Sequence, residues 1–355
     1  MGKIDAPEWV SFANMAERLL NPVQRTEDLE NENILRPRRL DDFVGQPELR
    51  GNLGIFLQAA RERGEPLDHI LFAGPPGLGK TTLASIIAQE MGTNLRVTSG
   101  PILNRPSDLA GMLTNLQPGD VLFIDEIHRL DRAVEEYLYP AMEDFSIDIL
   151  LENGPSARSV HLPLPRFTLI GATTRTGMLT GPLRDRFGLT FRLDPYRPEE
   201  IEIIAHRTAT ILGFSLDEEA SHLLGRRCRG TPRVVNRVVR RCRDVAQVMR
   251  KDGIDRLVAE KTLSILGLDE MGLDEMDRRI LSTLLERFDG GPLGLSTLSA
   301  ALNEEPETLE EVHEPYLIQL GLLMRTPRGR VATPAAARHL GLSVHPLSAQ
   351  EAFQL

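Results

Sequence analysis

Cysteine is scarce in this 355-residue chain, which has only Cys228 and Cys242. Their spacing fits neither a zinc site nor a disulfide framework, and such sparing use suits a reducing cytoplasm. No apolar run approaches the roughly 20 residues needed to cross a bilayer, so no membrane partner is expected. The opening residues, MGKIDAPEWVSFANM, lack the basic start and apolar centre of a secretory signal. Excess positive charge is missing too. Lys and Arg total 41 against 51 Asp and Glu, a formal net charge of −10. That balance argues against indiscriminate adhesion to nucleic acid but leaves room for a local basic patch. One such patch lies where acids are absent. No Asp or Glu occurs from Pro315 to Gln350, and RTPRGR places Arg325, Arg328 and Arg330 in six residues. Aromatic residues are absent between positions 91 and 120.

The length suits two or three domains, and 41% hydrophobic with 26% charged residues is ordinary for globular chains. Residues 1–33 are polar and without clear periodicity, and we expect a tail there. From 34 to 196, short apolar runs alternate with helical stretches. HILFAG (69–74), VLFIDE (121–126) and FTLIGAT (167–173) read as buried parallel strands, giving an α/β fold class with crossover helices. Residues 197–268 read as a small helical domain. Residues 269–355 read as three helices followed by a hairpin at about 322–333, with Pro327 and Gly329 at the turn. Three helices and a hairpin wing make a winged helix, a relative of the helix-turn-helix DNA-binding unit.

GPPGLGKT (74–81) fits the P-loop pattern between a strand and a helix, the context that pattern requires. Gly77 and Gly79 let backbone N–H groups wrap phosphates at a helix N-terminus. Lys80 is placed to reach the β- and γ-phosphates of ATP, and the Thr81 hydroxyl to ligate Mg²⁺. FIDEIH (123–128) ends the next strand run in two acids. Asp125 is expected to hold Mg²⁺ and Glu126 to orient the attacking water. His128 reads as a loop or core residue.

Together these residues resemble the AAA+ ATPases. The resemblance implies that FTLIGATTR lies between the other two strands and that Thr174 is a polar sensor of the γ-phosphate. In PLRDRFG (182–188), it implies an arginine finger acting on a neighbouring subunit: Arg186, with Arg184 as the alternative. In GTPRVVNR (230–237), Arg233 takes the place of the family's second sensor. Leu35, Arg36 and Tyr196 fall where the family contacts adenine, and Thr82 beside the P-loop threonine. Glu143, Asp144 and Phe145 of MEDF fall where nucleotide contacts meet the subunit boundary. A finger acting on a neighbour implies a ring, a homohexamer by family default.

The empty aromatic stretch 91–120 counts against the pore loop of protein-threading relatives. With the winged helix, the resemblance narrows to motors that move duplex DNA at four-way junctions in recombination and repair, alongside a junction-binding protein partner. A clamp-loader-like switch on DNA is the alternative. On the wing, Arg325, Arg328 and Arg330 are expected to touch DNA phosphates, with the glutamates of NEEPETLEEVHE on a different face. SIDILLENGPSARSVHLPLP (146–165) has Asn153-Gly154 as a tight-turn signal. The resemblance makes it a protruding hairpin for the partner protein, with Ile149, Leu151, Val160 and Leu162 as contact residues.

Overall fold

The computed structural model describes residues 34–150 and 159–342. The chain divides between Tyr196 and Arg197 into two compact units. In the first, helix α1 (Pro47–Arg63) precedes strand β1 (Ile70–Ala73) and helix α2 (Lys80–Met91). Then come β2 (Leu95–Ser99), α3 (Pro106–Thr114), β3 (Val121–Asp125), α4 (Arg132–Glu143), β4 (Ser146–Leu150) and β5 (Ser159–Pro163). β6 (Thr168–Thr173), α5 (Gly181–Asp185) and β7 (Leu189–Arg192) complete it.

Five strands form a parallel sheet in the order β2-β3-β6-β1-β7. All four residues of β1 and all six of β6 are buried. That is why these segments read as continuous apolar runs rather than alternating ones: helices cover both faces. The sensor strand β6 lies between β1 and β3, with Ile170 opposite both Ile70 and Phe123. One core packs Leu71, Leu122, Ile124, Val134, Leu138, Phe167 and Leu169 against each other. Each such side chain contributes about 1.5–3 kcal/mol on burial.

β4 and β5 pair as an antiparallel hairpin with Ile147 opposite Leu162 and Ile149 opposite Val160. Its expected turn at Asn153-Gly154, and Leu151 with it, lie outside the described residues.

The second unit begins with α6 (Pro198–Ile211), β8 (Ser215–Leu216), α7 (Glu218–Arg227) and α8 (Pro232–Val248). β9 (Gly253–Ile254) and α9 (Arg256–Ile265) follow, β8 and β9 pairing in parallel. α8 buries Val234, Val235, Val238, Val239, Cys242 and Ala246 along one stripe, which fixes its packed face. Cys228 and Cys242 are both buried and unbridged, and burial pushes the Cys242 thiol up to about 12. They are core residues.

The winged helix continues with α10 (Glu275–Arg287), α11 (Leu295–Leu302), α12 (Pro306–Thr308), a π-helical turn (Leu309–His313) and α13 (Glu314–Gln319). β10 (Leu323–Thr326) and β11 (Gly329–Ala332) form the wing, and α14 (Pro334–His339) closes it. Pro315 has no N–H to donate into the preceding turn, a physical reason for the wide turn there. The wing is stitched to Leu293, which exchanges backbone hydrogen bonds with Arg330 at 2.9 and 2.7 Å.

A buried ion cluster ties the lid helices to the winged helix. Arg229, just after α7, donates to Asp274 at 3.0 Å and Asp277 at 2.5 Å, and to the Gly272 carbonyl at 3.1 Å. His313 joins through Nδ1, 2.7 Å from Asp277.

Candidate functional site

The P-loop connects β1 to α2. Gly77 and Gly79 take positive φ of 81° and 104°, conformations that L side chains rarely adopt. At Gly79 there is a second constraint: an added Cβ would lie 3.1 Å from the Phe43 ring. The loop therefore passes beneath Phe43, with the N-terminus of α2 at its end. The Tyr196 hydroxyl donates to the Leu78 carbonyl at 3.1 Å, so the last residue of this unit braces the loop. Lys80 is nearly buried, its amine donating to the carbonyls of Gly74 at 2.7 Å and Pro75 at 3.0 Å. Thr81 and Thr82 are half-buried in the first turn of α2. Leu35 is buried and Arg36 half-buried. A few residues on, the Leu40 N–H donates to Glu90 of α2 at 3.4 Å.

Because β3, β6 and β1 are adjacent and parallel, their C-terminal ends gather the remaining groups. Asp125 ends β3, and its carboxylate accepts the Glu126 N–H at 3.0 Å. Glu126 itself sits at φ 48°, a strained conformation for a non-glycine residue that turns its side chain back across the strand ends. The Thr174 hydroxyl donates to Glu126 Oε2 at 3.3 Å. The Thr173 carbonyl accepts the Gly74 N–H at 3.1 Å, joining the sensor strand to the P-loop entrance. Gly171 supports this arrangement: an added Cβ would lie 2.9 Å from the Phe187 ring and 3.0 Å from Ile127.

His128, read from the sequence as a loop or core residue, is a buried residue that belongs to this cluster. Its side chain is 3% exposed, with Nδ1 3.3 Å from Glu126 Oε2 and 3.0 Å from the Thr173 hydroxyl. Phe43 is likewise a site residue that the sequence does not announce. Neither has a local sequence signal. His128 is visible only as an imidazole two residues past the acid pair, and Phe43 as a buried aromatic in LDDFVGQ.

The residues near α5 lie at the opposite sheet end. Phe145 packs against the rings of His69 and Phe167, with centroids 6.1 and 5.9 Å away. His69 immediately precedes β1, whereas the P-loop follows it. Glu143, Asp144 and Phe145 are therefore not brought to this chain's own P-loop. Phe145 is half-buried and packs against the domain core, while Glu143 and Asp144 remain exposed. Arg186 donates to Glu143 at 3.1 Å and to the Pro182 carbonyl at 2.7 Å. It lies 4.2 Å over the Tyr139 ring, with 21% of its side chain exposed. Arg184 is the more open of the two, only 4.0 Å from Asp185 at its nearest. Arg233 stands half-buried in the first turn of α8, in the second unit.

On the wing, the separation of arginines from glutamates does not hold. Arg325 donates to Glu314 at 2.5 Å, and Arg330 donates to Glu314 at 2.8 Å and Glu310 at 3.4 Å. The acids sit one helix turn apart on the third helix and face the hairpin. Only Arg328, at the turn, is exposed and makes no ion pair among the described residues. At the β4–β5 hairpin, Leu162 is half-buried and packs partly against the domain core. Val160, two residues outward on the same face, is 36% exposed. Ile149 is fixed here by its register alone.

The phosphate-wrapping loop, the paired acids and the interposed sensor strand define an AAA+ ATPase carrying a winged helix. Residues 35–193 match the Holliday junction DNA helicase RuvB P-loop domain, 196–269 the RuvB AAA lid domain, and 270–341 the RuvB C-terminal winged helix domain. The "Holliday junction branch migration complex subunit RuvB" of Prosthecochloris aestuarii is 60% identical over 325 residues, 91% of this chain and 94% of that protein. The solved Thermotoga maritima RuvB Holliday junction branch migration motor is 49% identical with a TM-score of 0.81, covering 88% of this chain and 100% of that one. A point mutant of the same protein matches with a TM-score of 0.82 at 49% identity, covering 88% of this chain and 99% of that one. The chain belongs to the RuvB family.

Proposed function

We propose that this chain is the ATP-driven subunit of a homohexameric motor that draws duplex DNA through a four-way junction. It would act with the junction-binding protein RuvA, and with RuvC as a further partner, in the cytoplasm. No described helix is long and apolar enough to cross a membrane. The observation that carries this reading is the convergence of Lys80, Asp125, Glu126 and Thr174 at the ends of adjacent parallel strands, in a chain 60% identical to a branch-migration subunit.

The residues fit ATP and Mg²⁺. The positive-φ glycines open the loop's N–H groups at the start of α2. Lys80, already turned into the loop, would exchange carbonyl partners for phosphate oxygens. Thr81 and Asp125 would hold Mg²⁺, which neutralises charge on the β- and γ-phosphates. Thr82, Leu35, Arg36 and Tyr196 would complete the nucleotide contacts. Glu126 would orient the attacking water while Thr174 holds its carboxylate and senses the γ-phosphate. Arg186, with Glu143 and Asp144 around it, would serve a neighbour's nucleotide, since it sits far from its own P-loop. Arg233 would couple nucleotide state to the lid. Arg325, Arg328 and Arg330 would meet DNA phosphates along the wing, the first and last by exchanging their glutamate partners for phosphate oxygens, and the hairpin from Ile149 to Val160 would meet RuvA.

The test is ATP-dependent conversion of a synthetic four-way junction into duplex products with RuvA present. Product that needs ATP and vanishes with Lys80→Ala supports the motor. ATP hydrolysis without product would replace it with the clamp-loader-like switch.

A further inference from the structure

The Arg186 guanidinium is held by its face, 4.2 Å over the Tyr139 ring. Stacking on an aromatic face leaves the N–H edge of a guanidinium free for anions. That edge carries the polar contacts: one Nη donates to the Pro182 carbonyl at 2.7 Å and the other to Glu143 at 3.1 Å. Nε is buried with no hydrogen-bond partner. The ring therefore stands where water would otherwise solvate the inner part of this cation.

Tyr139 is itself fixed. Its hydroxyl donates at 2.6 Å to Glu135, one turn back along α4, and Glu135 is 6% exposed. Thr180 donates to the same Glu135 oxygen and lies 3.3 Å from the Tyr139 hydroxyl. Thr180 also caps α5, accepting the Leu183 N–H at 3.3 Å. One buried carboxylate thus ties the ring on α4 to the start of α5, and Arg186 follows the end of that short helix. Arg184, by contrast, is 56% exposed and reaches Asp185 only at 4.0 Å.

We propose that Tyr139 is a positioning residue for Arg186: its ring is the platform that presents the guanidinium edge to a neighbouring subunit's nucleotide. Glu143 would give way to a phosphate oxygen while the stack stays in place. This rests on reading Arg186 as a finger. A guanidinium already stacked has less conformational entropy to lose when it engages. Losing the platform should therefore slow the step that the neighbour carries out and leave nucleotide binding alone.

The experiment measures steady-state ATP turnover of the full-length protein with Mg²⁺ and duplex DNA, and nucleotide affinity by fluorescent-nucleotide titration. Tyr139→Leu should lower kcat on the order of 10-fold with nucleotide affinity unchanged. Tyr139→Phe keeps the ring face and should stay within about 3-fold of the native rate. Adding Tyr139→Leu to Arg186→Ala should cost almost nothing further, since the ring acts through the finger. Mixing assigns the defect to one side of the boundary. Tyr139→Leu subunits mixed with Glu126→Gln subunits should regain turnover, because an intact finger then faces an intact Glu126. Mixed with Arg186→Ala subunits they should regain none, because both lack a competent finger.

Native turnover in Tyr139→Leu would overturn the proposal, as would a Tyr139→Phe loss as large as that of Tyr139→Leu. Recovery with Arg186→Ala subunits would overturn it too, by placing the two residues in different functions. If Arg186→Ala and Glu126→Gln subunits do not rescue each other, the finger reading fails and the proposal goes with it. Should Tyr139→Leu fail to fold, as judged by circular dichroism, phenylalanine and its progressively fluorinated analogues at position 139 test the same point. Fluorine withdraws charge from the ring face at nearly constant shape, so turnover should fall stepwise with fluorination. Turnover that does not change along that series would overturn the proposal.

Discussion

His128 Nδ1 lies 3.3 Å from Glu126 Oε2, and the Thr174 hydroxyl lies 3.3 Å from the same oxygen. One carboxylate oxygen thus has two holders from different strands. If Glu126 orients water, Glu126→Gln should lower ATP turnover by about 10²–10⁴-fold while nucleotide binding persists. His128→Ala should lower kcat by roughly 10-fold with KM little changed, because it alters the aim of the carboxylate and not the phosphate cradle. In the Glu126→Gln background, His128→Ala should add almost nothing. Full multiplication of the two effects in steady-state turnover would detach His128 from Glu126.

Arg186 leans on Glu143 at 3.1 Å, away from its own P-loop. A finger acting across a boundary permits a mixing test. Arg186→Ala subunits should lose about 10³-fold or more in turnover, as should Glu126→Gln subunits by their own route. Mixed together, they form boundaries where an intact Arg186 faces an intact Glu126, and turnover should partly return. A finger acting within its own subunit gives no recovery at any ratio.

Gly79 offers a test of the loop geometry. Its φ of 104° strains any L residue, and an added Cβ would crowd the Phe43 ring at 3.1 Å. A left-handed non-glycine conformation costs about 1–2 kcal/mol. Gly79→Ala should therefore weaken ATP binding several-fold or more, measured by fluorescent-nucleotide titration. Phe43→Leu, which relieves the contact, should recover part of the loss in the double variant. Native affinity in the Gly79→Ala protein would show that the loop does not need this path.

The parts of the fold legible in the sequence are those fixed by local pattern. HILFA and VLFID announce buried strands because both faces of a parallel strand are covered, and the P-loop announces itself because its glycines serve backbone geometry over eight residues. The wing hairpin is legible for the same reason. What is not legible depends on pairs distant in sequence. RTPRGR looks unpaired because its partners, Glu310 and Glu314, lie 15 and 16 residues before the arginines they meet. The packing of Phe145 is hidden for the same reason, since its ring partner His69 lies far ahead of it in the chain. The role of His128 is hidden because Thr173 arrives from another strand 45 residues on.

The cluster of Arg229, Asp274, Asp277 and His313 predicts a pH dependence with a definite sign. Burial alone would lower the His313 pKa, but its bond to Asp277 and the nearby charge of Asp274 raise it above the ordinary 6.5. Burial alone would raise the Asp277 pKa, but Arg229 and His313 bring it below the ordinary 3.8. A raised histidine stabilises the fold fully below pH 6.5, and that contribution fades as pH climbs through the folded value. A depressed carboxylate stabilises fully above 3.8, and its contribution fades as pH falls through the folded value. The cluster should hold best between those limits. His313→Gln should lower the thermal midpoint at pH 6 by several degrees, since breaking a buried pair costs about 3–5 kcal/mol. It should lower the midpoint less at alkaline pH, as the pH climbs through the raised folded value and the histidine loses its proton. A penalty that stays constant across the alkaline range in differential scanning calorimetry would count against a raised imidazole as the source of the stability.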